Sequence, residues 1–125
     1  MPRQSIEMAS FSHSNPIPGA SRIGPMIASS VIVGRDPGSS TIPDSADEQI
    51  ENCFVHIGEC LKATGADWRH VLRITFFVPD GSYRELCNPP WVERFPDAAS
   101  RPARHTQVVG GKGPVTCEFI AYVDD

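Results

Sequence analysis

The sequence predicts an α+β fold, a mixed β-sheet with two helices on one face, and three observations carry that prediction. Residues 44–64 repeat apolar side chains at the spacing of a helix. Two other stretches, 71–78 and 115–123, alternate apolar and polar residues as half-buried strands do. Punctuated by Gly and Pro, the chain then reads strand, strand, helix, strand, helix, strand, strand. Its 125 residues supply one core and not two, so a second catalytic domain is excluded.

In chain order, residues 1–14 are polar and Ser-rich and are set apart as an N-terminal arm, loose or forming a first edge strand around residues 6–11. His13 belongs to this arm, and residues 15–125 form the single domain. Asn15-Pro16-Ile17-Pro18-Gly19-Ala20 is an ordered loop, because each proline pushes its predecessor toward extended geometry. Residues 21–33 hold two extended pieces about Gly24-Pro25, and the second, 26–33, is apolar enough to be buried on both faces. Turn residues 34–40 close it. Asp44 or Ser45 then caps a helix, with Asp47 and Glu48 in the first turn where negative charge suits the helix dipole. Ile50, Cys53, Phe54, Ile57, Cys60 and Leu61 form its core stripe, and Gly65 stops it. His56 lies off that stripe and is expected in solvent.

The strand 71–78 places Leu72, Ile74, Phe76 and Val78 on one face, with Arg73 and Thr75 on the other. Tyr83, Leu86 and Cys87 suggest a helical turn, and Trp91 and Phe95 continue the spacing beyond an interruption at Pro89-Pro90. Asn88 is suited to cap a second short helix with Pro89 at its first position. After the flexible turn 110–114, the last strand sets Val115, Cys117, Phe119 and Ala121 on one face and Thr116, Glu118, Ile120 and Tyr122 on the other. Two helices cover one face only, so the apolar residues on the other imply a neighbouring subunit.

The totals exclude several classes of function. Lys+Arg 11 against Asp+Glu 15 gives a net charge of -4, and the basic residues are scattered, so neither nucleic acid nor an anionic membrane surface is an expected partner. No apolar run approaches the roughly 20 residues that span a bilayer, and residues 1–10 lack a hydrophobic signal core, so a cytoplasmic location is expected. Cys53, Cys60, Cys87 and Cys117 contain no C-x-x-C pair and fall on apolar positions, as reduced core thiols do. No metal cluster, Ser/His/Asp arrangement or cofactor fingerprint is visible, and the glycines at 110–113 precede no helix, so no cofactor or metal is expected. What stands out is Arg104, at the mouth of a strand after Ser100-Arg101-Pro102-Ala103. A planar, permanently charged fork there suits a carboxylate ligand, or a surface salt bridge.

From about Pro16 to Val123 the chain resembles the Rid family, the reactive intermediate deaminases also called YjgF-like proteins. The matching features are the loop Asn15-Pro16-Ile17-Pro18, Ser30, Asp36-Pro37, the helix ending in Ala63-Thr64-Gly65-Ala66, the strand 71–78, Asn88 and above all Pro102-Ala103-Arg104. Asn15-Pro16-Ile17-Pro18, Gly34-Arg35-Asp36-Pro37 and Phe95-Pro96-Asp97 with residues 100–106 also resemble the branch containing 2-aminomuconate deaminases. The resemblance implies a chorismate-mutase-like fold, a homotrimer and ligand clefts between subunits. It implies that Arg104 holds a substrate carboxylate and that Glu118 orients or activates water. Thr116 takes that role if the last strand is aligned two residues differently, and both stand on the same strand face. The substrate-binding positions carried over are Ile17, Ser30, Asn88, His105 and Thr106. Ile17 replaces a family tyrosine, and Thr106 a common cysteine. His105 is either a polar group in the cleft or a satisfied interface residue.

Hydrolysis of an imine or enamine carboxylate needs mainly a positioned substrate and water, because the protonated carbon is already electrophilic. Arg104 would clamp a carboxylate, joined by Arg22 or Arg35 if a dicarboxylate such as 2-aminomuconate binds, while Glu118 moves protons. Two alternatives remain: a non-catalytic trimer that binds small carboxylates or acts as a regulatory protein, and a chorismate-mutase-like isomerase, disfavoured because only one arginine is convincingly placed.

Overall fold

A computed structural model describes residues 1–124. Its strands are β1 (Gln4–Ile6), β2 (Ala20–Ile23), β3 (Met26–Ser29), β4 (Ile32–Val33), β5 (Val71–Val78), β6 (Ala103–Val108) and β7 (Thr116–Tyr122). They form one sheet in the order β1-β2-β3-β7-β5-β6, with β4 also paired to β7. Only β5 and β6 run parallel, because the chain between them crosses over through two short helices, α2 (Tyr83–Leu86) and α3 (Asn88–Arg94). With α1 (Ala46–Ala63), these cover one face, and the expected interruption after the Tyr83 turn is found, with the break at Cys87 and the prolines inside α3.

The long helix forms where caps and stripe agree. Ser45 accepts a hydrogen bond from the Glu48 N–H through its side chain, Asp47 and Glu48 occupy the first turn, and Gly65 follows with φ 76°. Ile50, Cys53, Phe54, Ile57, Cys60 and Leu61 are all buried beneath it. Facing them are Ile74, Phe76 and Val78 of β5 and Cys117, Phe119 and Ala121 of β7. Each such large apolar side chain contributes about 1.5–3 kcal/mol on burial, so this seam holds the helix to the sheet. The alternation expected for the last strand is therefore found.

Several expectations change. The edge strand in the N-terminal arm is Gln4–Ile6, paired with β2, and the residues after it turn inward to bury Ser10 and Phe11. The extended piece 26–33 is not one strand buried on both faces. It breaks at Ser30-Val31, where the Ser29 hydroxyl accepts the Phe119 N–H at 2.8 Å, and Met26 and Val31 are both exposed. In β5 the register slips between Val71 and Arg73, so Val71 points inward and Leu72 outward. A one-residue bulge reverses the side on which a side chain falls, and strict alternation cannot foresee it.

His56 is the clearest correction, since it is completely buried rather than solvated. Its Nε2 lies 2.8 Å from the Arg35 carbonyl and its Nδ1 3.0 Å from the Ser10 hydroxyl. A carbonyl only accepts, so Nε2 carries the proton and Ser10 donates to Nδ1. Burial holds the imidazole pKa below its ordinary value, against the opposing effect of the Arg35 carbonyl bond. The polar flank of α1 is thus a docking seam for the 10–12 segment and for the loop after β4.

A candidate active site at the β6 edge

Because β5 and β6 run parallel in register, Arg104 stands beside Ile74 and Thr106 beside Phe76, on the helix-covered side of an edge strand. Asn88 and Trp91, from the first turn of α3, lie over them. The Arg104 Nη2 donates to Asn88 Oδ1 at 2.9 Å, and its guanidinium carbon stands 5.1 Å from the centre of the Trp91 ring. Among the described residues no carboxylate pairs with it. A cation held by a neutral amide and an aromatic face is oriented without being neutralised. Two residues on, the Thr106 hydroxyl oxygen is buried and has no hydrogen-bond partner.

Asn88 therefore does not cap α3. Cys87 occupies the cap position without a side-chain bond, and prolines fill the next turn, where a missing N–H costs nothing. That leaves the Asn88 amide available to Arg104. Burial pushes the Cys87 thiol up to about 11, against the pull of the Arg104 guanidinium, so it remains protonated at neutral pH. All four cysteines are buried and unbridged, and burial likewise lifts Cys60 to about 11. No cluster of His, Cys, Asp and Glu suited to a metal occurs among the described residues.

The remaining positions gather elsewhere. Glu118 pairs across the sheet with Thr75, and Thr75 with His105, so these three share a row on the open face. Arg104 and His105 point to opposite sides of β6. Ser30 sits in the break between β3 and β4, which faces the Glu118-Phe119 stretch of β7, and its hydroxyl donates to the Pro18 carbonyl at 2.7 Å. That bond brings the exposed Ile17 loop to the same region. Thr116 lies further along β7, opposite Val33. The candidate residues thus fall into two groups, with Arg104, Asn88 and Thr106 at the edge and Glu118, Ser30 and Ile17 in the region of the open face.

Arg22 and Arg35 do not join Arg104. The first donates to the carbonyls of Gly24 and Thr64, both at 2.8 Å, and the second donates to the Ser12 carbonyl and stacks on Phe11. A hollow of about 630 Å³ lies apart from Arg104, between residues 67–72 and 94–102. Its charged walls are already engaged, with Arg69 on Asp67, Arg94 on Glu51 and Arg101 on the Phe95 carbonyl. No helix is long and apolar enough to cross a membrane among the described residues.

This framework agrees with known proteins. Residues 9–113 match the family described as Endoribonuclease L-PSP. A stretch of 68 residues is 34% identical to Reactive Intermediate Deaminase A, chloroplastic, of Arabidopsis thaliana, and spans 54% of this chain and 35% of that protein. Among solved structures, RidA from the Antarctic bacterium Psychrobacter sp. superposes with a TM-score of 0.86 at 22% identity, covering 96% of this chain and 99% of that one. A Rid-family protein from Yersinia pestis gives 0.87 at 20% identity, covering 98% and 100%. The fold is that of these proteins, and the chain belongs to the endoribonuclease L-PSP family, the Rid family that its sequence resembles.

Proposed function

We propose that this protein is a hydrolytic deaminase of small imine or enamine carboxylates, releasing ammonia and a keto acid. The observation that carries the reading is the Arg104 guanidinium, fixed by Asn88 and Trp91, without a carboxylate partner, beside an unpartnered Thr106 hydroxyl. An oxyanion fits that vacancy in charge, and a planar carboxylate fits the fork in shape. The name of the Arabidopsis relative supports the chemistry.

The site is completed between subunits. Arg104 and Glu118 lie on opposite faces and two strands apart, roughly 10 Å at ordinary strand spacing, so one protomer cannot present both to a small molecule. When the edge of one copy meets the open face of the next, the two contacting surfaces differ. Such a contact closes into a ring when its rotation allows, and the resemblance implies a trimer. Exposed Met26 and Tyr122, paired on the open face, favour burial there.

In the completed cleft Arg104 holds the substrate carboxylate, and Thr106 donates to the same end. Glu118 of the neighbouring copy takes a proton from water as the water oxygen attacks the protonated imine carbon. Collapse of the resulting carbinolamine breaks the C–N bond, the nitrogen leaves as ammonia with the shuttled proton, and a carbonyl forms. Glu118 suits this role better than Thr116, because it has the carboxylate and lies beside the Ser30 break. With Arg22 tied to backbone carbonyls and Arg35 on the other flank of α1 from Arg104, the small 2-imino monocarboxylates fit better than 2-aminomuconate.

The test is ammonia release from enzymatically generated 2-iminopropionate and from 2-aminomuconate. Turnover of the first, lost in Arg104→Ala with the assembly intact, is the expected result. Saturable binding of 2-oxo acids without any turnover would instead establish the non-catalytic carboxylate-binding alternative.

A further inference from the structure

On the opposite flank of α1 from Arg104, a second polar hollow of about 220 Å³ is lined by Ser10, Phe11, Ser12, Arg35, Ser39 and Ser40. The helix separates the two regions: Glu51 faces α3 through Arg94, while Asn52 and His56 face the loop after β4. Three of the backbone carbonyls around this hollow are already engaged, those of Ser10, Ser12 and Arg35. The Ser10 carbonyl is taken by the Gly38 N–H at 2.9 Å and the Ser12 carbonyl by Arg35 Nη1 at 3.2 Å. His56 occupies the Arg35 carbonyl and Ser39 N–H the Asp36 carbonyl, and Asn52 donates to one oxygen of the Asp36 carboxylate, which does not line the hollow.

The donors are less engaged. Arg35 has its guanidinium carbon 4.9 Å from the centre of the Phe11 ring and makes no salt bridge among the described residues. A guanidinium carries five N–H groups, and one goes to Ser12. The Ser39 hydroxyl accepts from the Thr41 N–H, which leaves its own hydrogen to donate, and the Ser12 and Ser40 side chains are exposed at the rim. We propose that this hollow is a binding site for a small tetrahedral oxyanion of the phosphate class, gripped by Arg35 and by the hydroxyls of Ser12, Ser39 and Ser40. The unneutralised positive charge of Arg35 and the hydroxyl donors beside it favour an anion over a cation. The space admits such an ion with a few waters, each occupying about 30 Å³. The site is independent of the proposed deaminase reaction.

Titrating the isotopically labelled full-length protein with inorganic phosphate, at constant ionic strength against chloride, tests this by amide chemical shifts. Expected are saturable shifts confined to residues 9–12 and 35–41, lost in Arg35→Gln, weakened at least threefold in the Ser12→Ala/Ser40→Ala double variant, and unaltered in Arg104→Ala. Equal shifts with chloride, or a phosphate response that maps to residues 88–106 and disappears in Arg104→Ala, would overturn the proposal. If Arg35→Gln fails to fold, the double serine variant decides, and undiminished affinity in it counts against the site.

Discussion

Arg94 and Arg104 stand at either end of the same structural corner, and each lies over an aromatic ring. Arg94 is within 5.0 Å of the Phe54 ring centre and 5.9 Å of Trp68, and its Nη2 meets Glu51 at 2.6 Å. Arg104 lies over Trp91, but its hydrogen bond goes to a neutral amide. The first arginine has its countercharge inside the fold and fastens α3 to α1. The second has the stacking and the orientation but no countercharge among the described residues, and the proposed carboxylate-binding role rests on this difference.

Exchanging the roles of the two arginines tests that contrast most severely. Arg104→Ala should lower kcat/KM for ammonia release by about thirtyfold to several thousandfold, as loss of a hydrogen-bonded charge partner costs about 2–5 kcal/mol. Its thermal unfolding midpoint should barely move. Arg94→Ala should do the reverse: the midpoint falls by several degrees with the loss of about 1–2 kcal/mol of pairing and stacking, while activity per folded molecule stays. Asn88→Asp should turn Arg104 into a second Arg94 by supplying the missing countercharge. A tenfold or greater rise in KM without loss of stability is expected, and an unchanged KM would contradict the role given to the neutral amide. Asn88→Ala removes one hydrogen bond, about 1 kcal/mol, and should raise KM roughly fivefold with kcat preserved.

The smallest effect concerns His56 and the opposite flank of α1. Its folded-state pKa lies below the ordinary value of 6.5, so the unfolded chain takes up the proton first as pH falls. Its contribution to stability is intact above about pH 6.5 and declines from there down through the folded pKa. Urea midpoints at pH 7.5 and 5.5 should therefore separate more for the unmodified protein than for His56→Gln. Equal separations would mean that the imidazole does not titrate in this range.

Much of this architecture was legible wherever one kind of interaction dominated. The α1 stripe and the alternation of β7 follow from apolar burial alone, and both are found. Strict alternation puts Leu72 on the wrong face because a bulge depends on pairing with β7, which lies more than forty residues further along the chain. Periodicity misplaces His56 because it registers apolar neighbours, whereas this side chain is buried with a hydroxyl and a carbonyl from distant segments as its partners. For the site, Pro102-Ala103-Arg104 pointed to the cation, but the stacking on Trp91 arises only when the crossover lays α3 on β6. The Asn88 pattern was ambiguous in the same way, since a residue ahead of two prolines reads locally as a cap. The segregation of Arg104 from Glu118 follows from strand order, which no local motif encodes.

That segregation carries a genetic consequence. If each reaction centre borrows its acid from the next protomer in a closed ring, two defective alleles can repair one another. Coexpressed Arg104→Ala and Glu118→Gln chains would give every mixed trimer one junction at which an unaltered arginine faces an unaltered glutamate. Such hybrids should recover turnover that neither parent shows alone.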